Sequence, residues 1–195
     1  MGIFFRWSLR AFLFFRDMPM AVLYTIRPIE DSDFRAYVRL REEALRTDPD
    51  AFSSSYDEYQ NVSTLNKEQF FQKMIQYPLE FMLGAFAAEG AQLLGMVGFQ
   101  VPQHFRKRKH KGRLFGMYVS EAFRRQGIAV RLLETMIRVA KEDAQCEQIL
   151  LTVSPPASPA YQLYRKMGFL QYGVETQALK TSNGYVDEVL MLKYL

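Results

Sequence analysis

Hydrophobic and polar positions along the chain alternate between two periods. "VLYTIRPI" (Val22 to Ile29) alternates and is rich in β-formers, which predicts a strand ended by Pro28. Asp31 is placed to cap a helix running to about Arg46, with Phe34, Val38, Leu40, Ala44 and Leu45 as its core positions. The stretch from Thr47 to Ser63 is polar and turn-rich, a loop long enough to suggest a function. A second helix is predicted from about Leu65 to Gln76, stopped ahead of Pro78. "FMLGAFAA" (Phe81 to Ala88) and "LLGMVGFQV" (Leu93 to Val101) flank "EGAQ" and predict a hairpin.

The next strand is "RLFGMYV" (Arg113 to Val119), followed by a helix opening near Gly127. Ala129, Leu132, Leu133, Met136 and Ala140 line one face of that helix, and Arg131, Glu134, Arg138 and Lys141 the other. "ILLTV" (Ile149 to Val153) is short and does not alternate, which predicts a strand buried on both faces. In "SPAYQLYRKMG", Ser158 is the N-cap, Pro159 the first helical residue and Gly168 the C-terminal stop. Two final strands are predicted, about Phe169 to Ala178 and Val186 to Tyr194.

The strand, helix, strand unit from Arg113 to Val153 is a parallel crossover, right-handed by strong preference. The remaining strands read as hairpins, so the fold class is α/β with a mixed sheet. No internal repeat and no domain-sized linker interrupts it.

The chain has 195 residues, 49 % hydrophobic and 24 % charged, which suits one globular domain and excludes a disordered one. Its first twenty residues, "MGIFFRWSLRAFLFFRDMPM", fit that domain poorly. Their longest apolar run is "AFLFF", far below the roughly 20 residues that cross a bilayer. A basic leader, a cleavage site and the myristoylation pattern are missing. The expectation is an extension over residues 1–20 and a domain over 21–195. Contact of residues 1–16 with a membrane surface is the alternative. A lone cysteine, Cys146, allows no internal disulfide, and the expected setting is reducing and cytoplasmic.

Net charge is only +4, but "HFRKRKHKGR" (His104 to Arg113) concentrates six Lys or Arg. The expected role of this run is a solvated hairpin turn. The functional alternatives are contact with a phosphate, an acidic substrate or nucleic acid.

Candidate chemistry lies in "FRRQGIAVRLLETMI" (Phe123 to Ile137). Arginines before a helix oppose the usual dipole preference, so a negative group is expected there. Unpaired N–H groups of the first turn, Gly127 for close backbone approach, and Arg124 and Arg125 together suit a phosphate or pyrophosphate. A glycine for tight packing beside two solvated arginines is the plainer reading.

This stretch resembles the phosphate-binding motif of the GNAT superfamily of acyl-CoA N-acyltransferases, Arg/Gln-x-x-Gly-x-Gly/Ala. "RRQGIA" supplies Arg124, Gly127 and Ala129 in register, "GMYVSEAF" resembles the strand and turn before it, and "LYRKMGF" (Leu163 to Phe169) resembles a second motif. The resemblance extends in element order from about Tyr24 to Leu195. It implies a mostly antiparallel sheet whose central parallel pair splays around acetyl-CoA, flanked by about four helices. It further implies that backbone groups of Met117, Tyr118 and Val119 hold the pantetheine arm. Residues Arg125, Gln126, Gly127, Ile128, Ala129 and Val130 would cradle the pyrophosphate through backbone N–H groups, with Arg124 adding charge.

Under this resemblance Tyr164 protonates the departing thiolate, a pairing that the ordinary pKa values of tyrosine (~10) and thiol (~8.5) permit. The chain departs from the family in two places. "RLFGMYV" lacks the glutamate that many relatives use as a base, leaving Glu42, Glu43, Asp57, Glu58 or a water chain as candidates. Ala157 stands where relatives often carry asparagine. The implied activity is acetyl transfer to a primary amine of a small molecule or peptide, with no metal and no nucleic-acid partner. A homodimer is left open, and the rival function is a non-catalytic acyl-CoA- or nucleic-acid-binding module on the same fold.

Overall fold

A computed structural model describes residues 22–154, 158–181 and 184–195. Strands β1 (Tyr24–Pro28), β2 (Glu80–Ala87), β3 (Leu93–Gln100), β4 (Lys111–Val119), β5 (Gln148–Val153), β6 (Leu170–Thr181) and β7 (Gly184–Tyr194) form one sheet in the order β1-β2-β3-β4-β5-β7-β6. Every neighbouring pair is antiparallel except β4 and β5. The helices are α1 (Phe34–Thr47), α2 (Tyr56–Asn61), α3 (Thr64–Lys73), α4 (Ile128–Glu142) and α5 (Pro159–Lys166).

Side-chain alternation sends each central strand into two cores, one on each face of the sheet. Phe81, Leu83 and Ala85 of β2 join Leu94, Val97 and Phe99 of β3 beneath α4, whose Ile128, Leu132, Leu133 and Met136 are fully buried. Met82 and Phe86 of β2 join Met96 of β3 and Tyr118 of β4 against α1 and α3, through Tyr37, Leu40, Phe71 and Met74. Arg27 fastens the entry to α1: its guanidinium binds Asp33 at 2.6 and 2.9 Å and lies 3.7 Å from the centroid of the Phe86 ring. The Arg27 bond holds the Asp33 carboxyl below its ordinary pKa.

Four details differ from the sequence reading. The core stripe of α1 runs through Ala36, Tyr37, Leu40, Ala44 and Leu45, while Phe34 and Val38 are half-buried at its border. The polar stretch after α1 is not wholly loop, because Ser55 caps α2 with Glu58 in a reciprocal capping box. Strand β5 is not buried on both faces: Ile149, Leu151 and Val153 are, but Leu150 and Thr152 are half-exposed. Its second face borders an open cleft that Thr152 lines, so no helix covers it. The predicted second helix ends at Lys73 and not near Gln76, because Met74 already leaves the helical conformation as its C-cap.

No helix among the described residues is long and apolar enough to cross a membrane. The extension over residues 1–20 and Ala157 lie outside the described residues, and so does the membrane-contact alternative.

Candidate active site

The parallel ladder between β4 and β5 is short. It joins Lys111 to Gln148, Gly112 to Ile149 and Arg113 to Leu150, and then stops. Beyond it β4 remains paired with β3 on one edge, and its other edge, from Leu114 onward, pairs with no strand among the described residues. An extra residue enters β4 here: Met96 and Gly98 of β3 face Tyr118 and Phe115, and Gly116 takes a positive φ of 60°. This bulge turns the strand at the point where the two neighbours part.

At the end of β4 the chain passes through a 3-10 turn (Glu121–Phe123) and enters α4. Gly127 is the N-cap, with φ 79°, a conformation that glycine adopts without strain. The first bond into the helix runs from the Arg131 N–H to the Gly127 carbonyl at 3.1 Å. Among the described residues no acceptor is found for the N–H groups from Arg125 to Val130. Arg125 itself takes φ 64°, the left-handed region, which a non-glycine residue adopts at a cost of about 1–2 kcal/mol. Arg125 and Gly127, both left-handed, flank Gln126 in this turn, and turns of successive N–H groups with left-handed residues form concavities that bind anions. A Cβ added at Gly127 would meet nothing within 4 Å, so the space in front of the cradle is open.

The side chains of the motif are used differently from its backbone. The Arg124 guanidinium pairs with Asp48 and donates from Nε to the Val119 carbonyl at 3.0 Å. Burial works against its charge, but Asp48 overrides that, and its proton affinity ends above the ordinary value. Gln126 turns away and accepts the Val22 N–H at 3.2 Å. Arg125 and Val130 are exposed, Ala129 is half-buried and Ile128 is in the core. On β4, the Tyr118 hydroxyl lies 2.8 Å from Thr47 Oγ1 and donates to Glu43 Oε1 at 3.1 Å, while Met117 is half-buried.

Helix α5 carries Tyr164. Ser158 Oγ accepts the Tyr161 N–H at 3.2 Å, Pro159 opens the first turn, and Gly168 follows at φ 83°. The Tyr164 ring packs edge-on to Phe169 with centroids 5.7 Å apart. No hydrogen bond is found for its hydroxyl among the described residues, and burial pushes its pKa well above the ordinary value. Tyr164 therefore stays protonated, the form that can donate, while the same burial makes it a weaker acid than the ordinary tyrosine–thiol pairing assumes.

One cleft of about 1290 Å³ connects these parts. Its lining includes Gly116, Met117 and Val119 of β4, Gly127 to Val130 of the cradle, and Leu163 and Tyr164 of α5. It also includes Tyr37, Arg41 and Met96 from the opposite face of the sheet. A cavity reaches both faces only where strands have separated, so it passes through the gap between β4 and β5.

Of the four acidic candidates from the sequence only Glu58 lines the cleft that holds Tyr164, and each is engaged or exposed. Glu42 accepts from Gln60 at 2.9 Å, Glu43 serves Tyr118, Asp57 is exposed, and Glu58 caps α2 from the rim. The structure brings in a carboxylate that sequence reasoning missed. Glu188 of β7 is half-buried and lines the same cleft as Tyr164. Burial raises its pKa, Glu175 directly across the β6–β7 ladder raises it further, and Arg113 opposes both. Two adjacent charges, Asp187 and Glu188, inside the run from Val186 to Leu192 were the available signal. The basic turn from Arg106 to Lys109 is exposed and contributes nothing to the cleft lining.

A cleft with an anion cradle at one mouth, a free strand edge along its wall and a buried phenol suits an elongated, phosphate-bearing ligand. Residues 37–169 match the model of the acetyltransferase (GNAT) family, and the chain belongs to that family.

An N-alpha-acetyltransferase of Sulfurisphaera tokodaii is 38 % identical over 64 residues, which are 33 % of this chain and 38 % of that protein. Human N-acetyltransferase 8 is 35 % identical over 82 residues, 42 % of this chain and 36 % of that protein. The matches thus span well under half the length of these curated relatives. A GNAT-family acetyltransferase from Streptococcus pneumoniae superposes with a TM-score of 0.76 at 25 % identity, covering 89 % of this chain and 99 % of its own. The structure of yncA from Salmonella typhimurium, solved with its cofactor acetyl-CoA, superposes with a TM-score of 0.73 at 17 % identity, over 89 % and 94 % of the two chains.

Proposed function

We propose that the protein transfers an acetyl group from acetyl-CoA to a primary amine. One observation carries this reading: the run of unpartnered N–H groups from Arg125 to Val130 opens directly onto the unpaired edge of β4. A pyrophosphate and an amide-bearing arm joined end to end fit that sequence of donors. The open space before Gly127 and the size of the cleft fit the same ligand.

The roles follow from placement. Backbone N–H groups from Arg125 to Val130 bind the pyrophosphate. Met117 is left to meet the pantetheine arm along the open edge, whereas Tyr118 is paired with Met96 of β3 and the Val119 carbonyl is already taken by Arg124. Arg124 acts through Asp48 and Val119 and holds the turn in shape. Acetyl-CoA supplies a thioester, an acyl group with a good leaving thiolate. Tyr164 donates its proton to that thiolate. Glu188, with a raised pKa, accepts the proton that the amine must lose. The likeness to N-alpha-acetyltransferases supports an amine acceptor of a small molecule or peptide. With an acetyl-CoA donor and a free, buried Cys146, the reading places the enzyme in the cytoplasm. It also takes residues 21–195 as the catalytic domain and 1–20 as an extension.

An acceptor screen with acetyl-CoA, followed by release of free thiol, tests the reading. Release that requires both acetyl-CoA and an amine is expected. Tight acetyl-CoA binding without release from any amine would make the protein a binding module.

A further inference from the structure

The cleft continues past the sheet toward α1, and its far end is chemically distinct from the cradle. Its walls there are Phe52, Phe70, Met74, Met82 and Met96, and the charged residues among them are Arg41, Lys67 and Glu58, with Lys67 Nζ 4.3 Å from the Tyr59 ring centroid. Among the described residues three arginines hold carboxylates: Arg27 with Asp33, Arg124 with Asp48 and Arg138 with Glu142. Arg41 has none among the described residues. A guanidinium carries five N–H donors, and the one protein acceptor found for Arg41 is Ser54 Oγ, at 3.0 Å from Nη2. Its plane rests 4.5 Å from the Phe52 ring centroid, which orients it without neutralising it.

A second polar group beside it is also unsatisfied. The Tyr59 hydroxyl is buried and without a hydrogen-bond partner among the described residues. Tyr59, Tyr37 and Arg41 lie close enough to act on one another electrostatically. Burial pulls the Arg41 proton affinity below its ordinary value, as expected for a charge whose counter-ion is missing. The neighbouring carboxylates are engaged elsewhere: Glu42, next to Arg41 in sequence and close enough to act on Tyr59, accepts from Gln60 at 2.9 Å, and Glu58 is exposed on the rim and accepts the Ser55 N–H at 2.8 Å. A desolvated cation and an orphaned hydroxyl at one place each cost free energy unless a ligand satisfies them.

We propose that Arg41 and Tyr59 form a carboxylate-binding subsite, so that the amine acceptor is a small molecule bearing a carboxylate on an apolar body. The planar Arg41 guanidinium and the Tyr59 phenol, with the Lys67 ammonium over the Tyr59 ring, match a carboxylate by sign of charge and by their donors. The aromatic and methionine walls match the apolar body. The amine end then points back through the β4–β5 gap toward Tyr164. The proposal rests on the acetyl-transfer reading and narrows its substrate class: an internal lysine of a folded protein would leave Arg41 unpaired.

The test compares acids with their uncharged amides. Wild type is assayed with acetyl-CoA against α-amino acids with apolar side chains, 6-aminohexanoate, the matching carboxamides, and O-phosphoethanolamine as a phosphate arm. In parallel, binding of N-acetylphenylalanine and its amide is measured calorimetrically in the presence of coenzyme A, a readout that needs no turnover. The acid is expected to exceed its amide by about 10–100-fold in kcat/KM and in affinity, the usual worth of a charge-assisted bond. Arg41→Gln brings that ratio near one, Arg41→Lys restores part of it, and Tyr59→Phe, which keeps the ring, reduces it several-fold. A ratio near one in wild type, retention of the full ratio in Arg41→Gln, or preference for the phosphate arm would each overturn the proposal. Coenzyme A that fails to bind would instead count against the acetyl-transfer reading, and the product acid alone would still report on Arg41.

Discussion

Arg113 and Leu150 form the last rung of the parallel ladder between β4 and β5, and every group of the proposed site lies on the open side of it. Sheets rarely leave a central strand edge unpaired, because buried N–H and C=O groups without partners are costly. Here the unpaired edge runs from Leu114 toward a helix start that is itself rich in unpartnered N–H groups. Two such debts placed end to end are best understood as one binding site.

The cradle gives the first prediction. Gly127→Val fills the open space before the N–H groups and forces a β-branched residue into φ 79°. Calorimetry should show acetyl-CoA affinity falling by about 100-fold or more, comparable to losing two charge-assisted bonds. Unchanged affinity would move the phosphate site elsewhere.

Arg124 should matter less than its motif position suggests. Its ion pair with Asp48 is 38 % exposed on both sides, and pairs of that kind contribute about 0–1 kcal/mol. Arg124→Gln should therefore change thermal stability little and weaken acetyl-CoA far less than Gly127→Val. A loss equal to that of Gly127→Val would show direct phosphate contact by the guanidinium.

Glu188 links rate to pH. A base works in its ionised form, so kcat/KM should rise as pH climbs through a Glu188 pKa that lies above the usual carboxylate range. Glu188→Gln should remove that inflection and lower the rate by about 10²–10³-fold. Stability should move the other way. A carboxyl whose folded-state pKa is raised binds its proton more tightly folded than unfolded, so stability falls as pH rises through that range. Glu188→Gln should therefore be neutral or stabilising at pH 7 by thermal melt. An unaltered pH profile in Glu188→Gln would remove it as the base.

Removing residues 1–17 is expected to leave folding and acetyl-CoA binding intact. Insoluble protein after truncation, seen by gel filtration, would show that the phenylalanines of the extension belong to the core.

Much of this was legible before any coordinates. Strand and helix order, the N-cap at Ser158, and the glycine at the start of α4 follow from local chemistry, which a single sequence carries. Partnerships across the fold were not legible. That Arg124 would turn to Asp48, or Gln126 to the Val22 N–H, depends on neighbours 76 and 104 residues away in the chain. Tyr37 was missed as a core residue because a phenol on an amphipathic helix reads equally as border or core. Glu188 escaped notice because a glutamate is read as solvated by default, and only the cleft beside β5 gives it a role. The missing counter-ion of Arg41 is a relation among absent groups, which no sequence pattern displays.

The most direct test is single-turnover thiol release in wild type and in Tyr164→Phe, with acetyl-CoA affinity measured on both. The substitution removes one hydroxyl and keeps the ring against Phe169. Wild type should release thiol only when acetyl-CoA and an amine are both present. Tyr164→Phe should bind acetyl-CoA as wild type does and be slower by about 10²–10⁴-fold, the usual loss for a general acid. An equal single-turnover rate in the two proteins would contradict the role of Tyr164, and no thiol release from wild type with any amine would contradict catalysis itself.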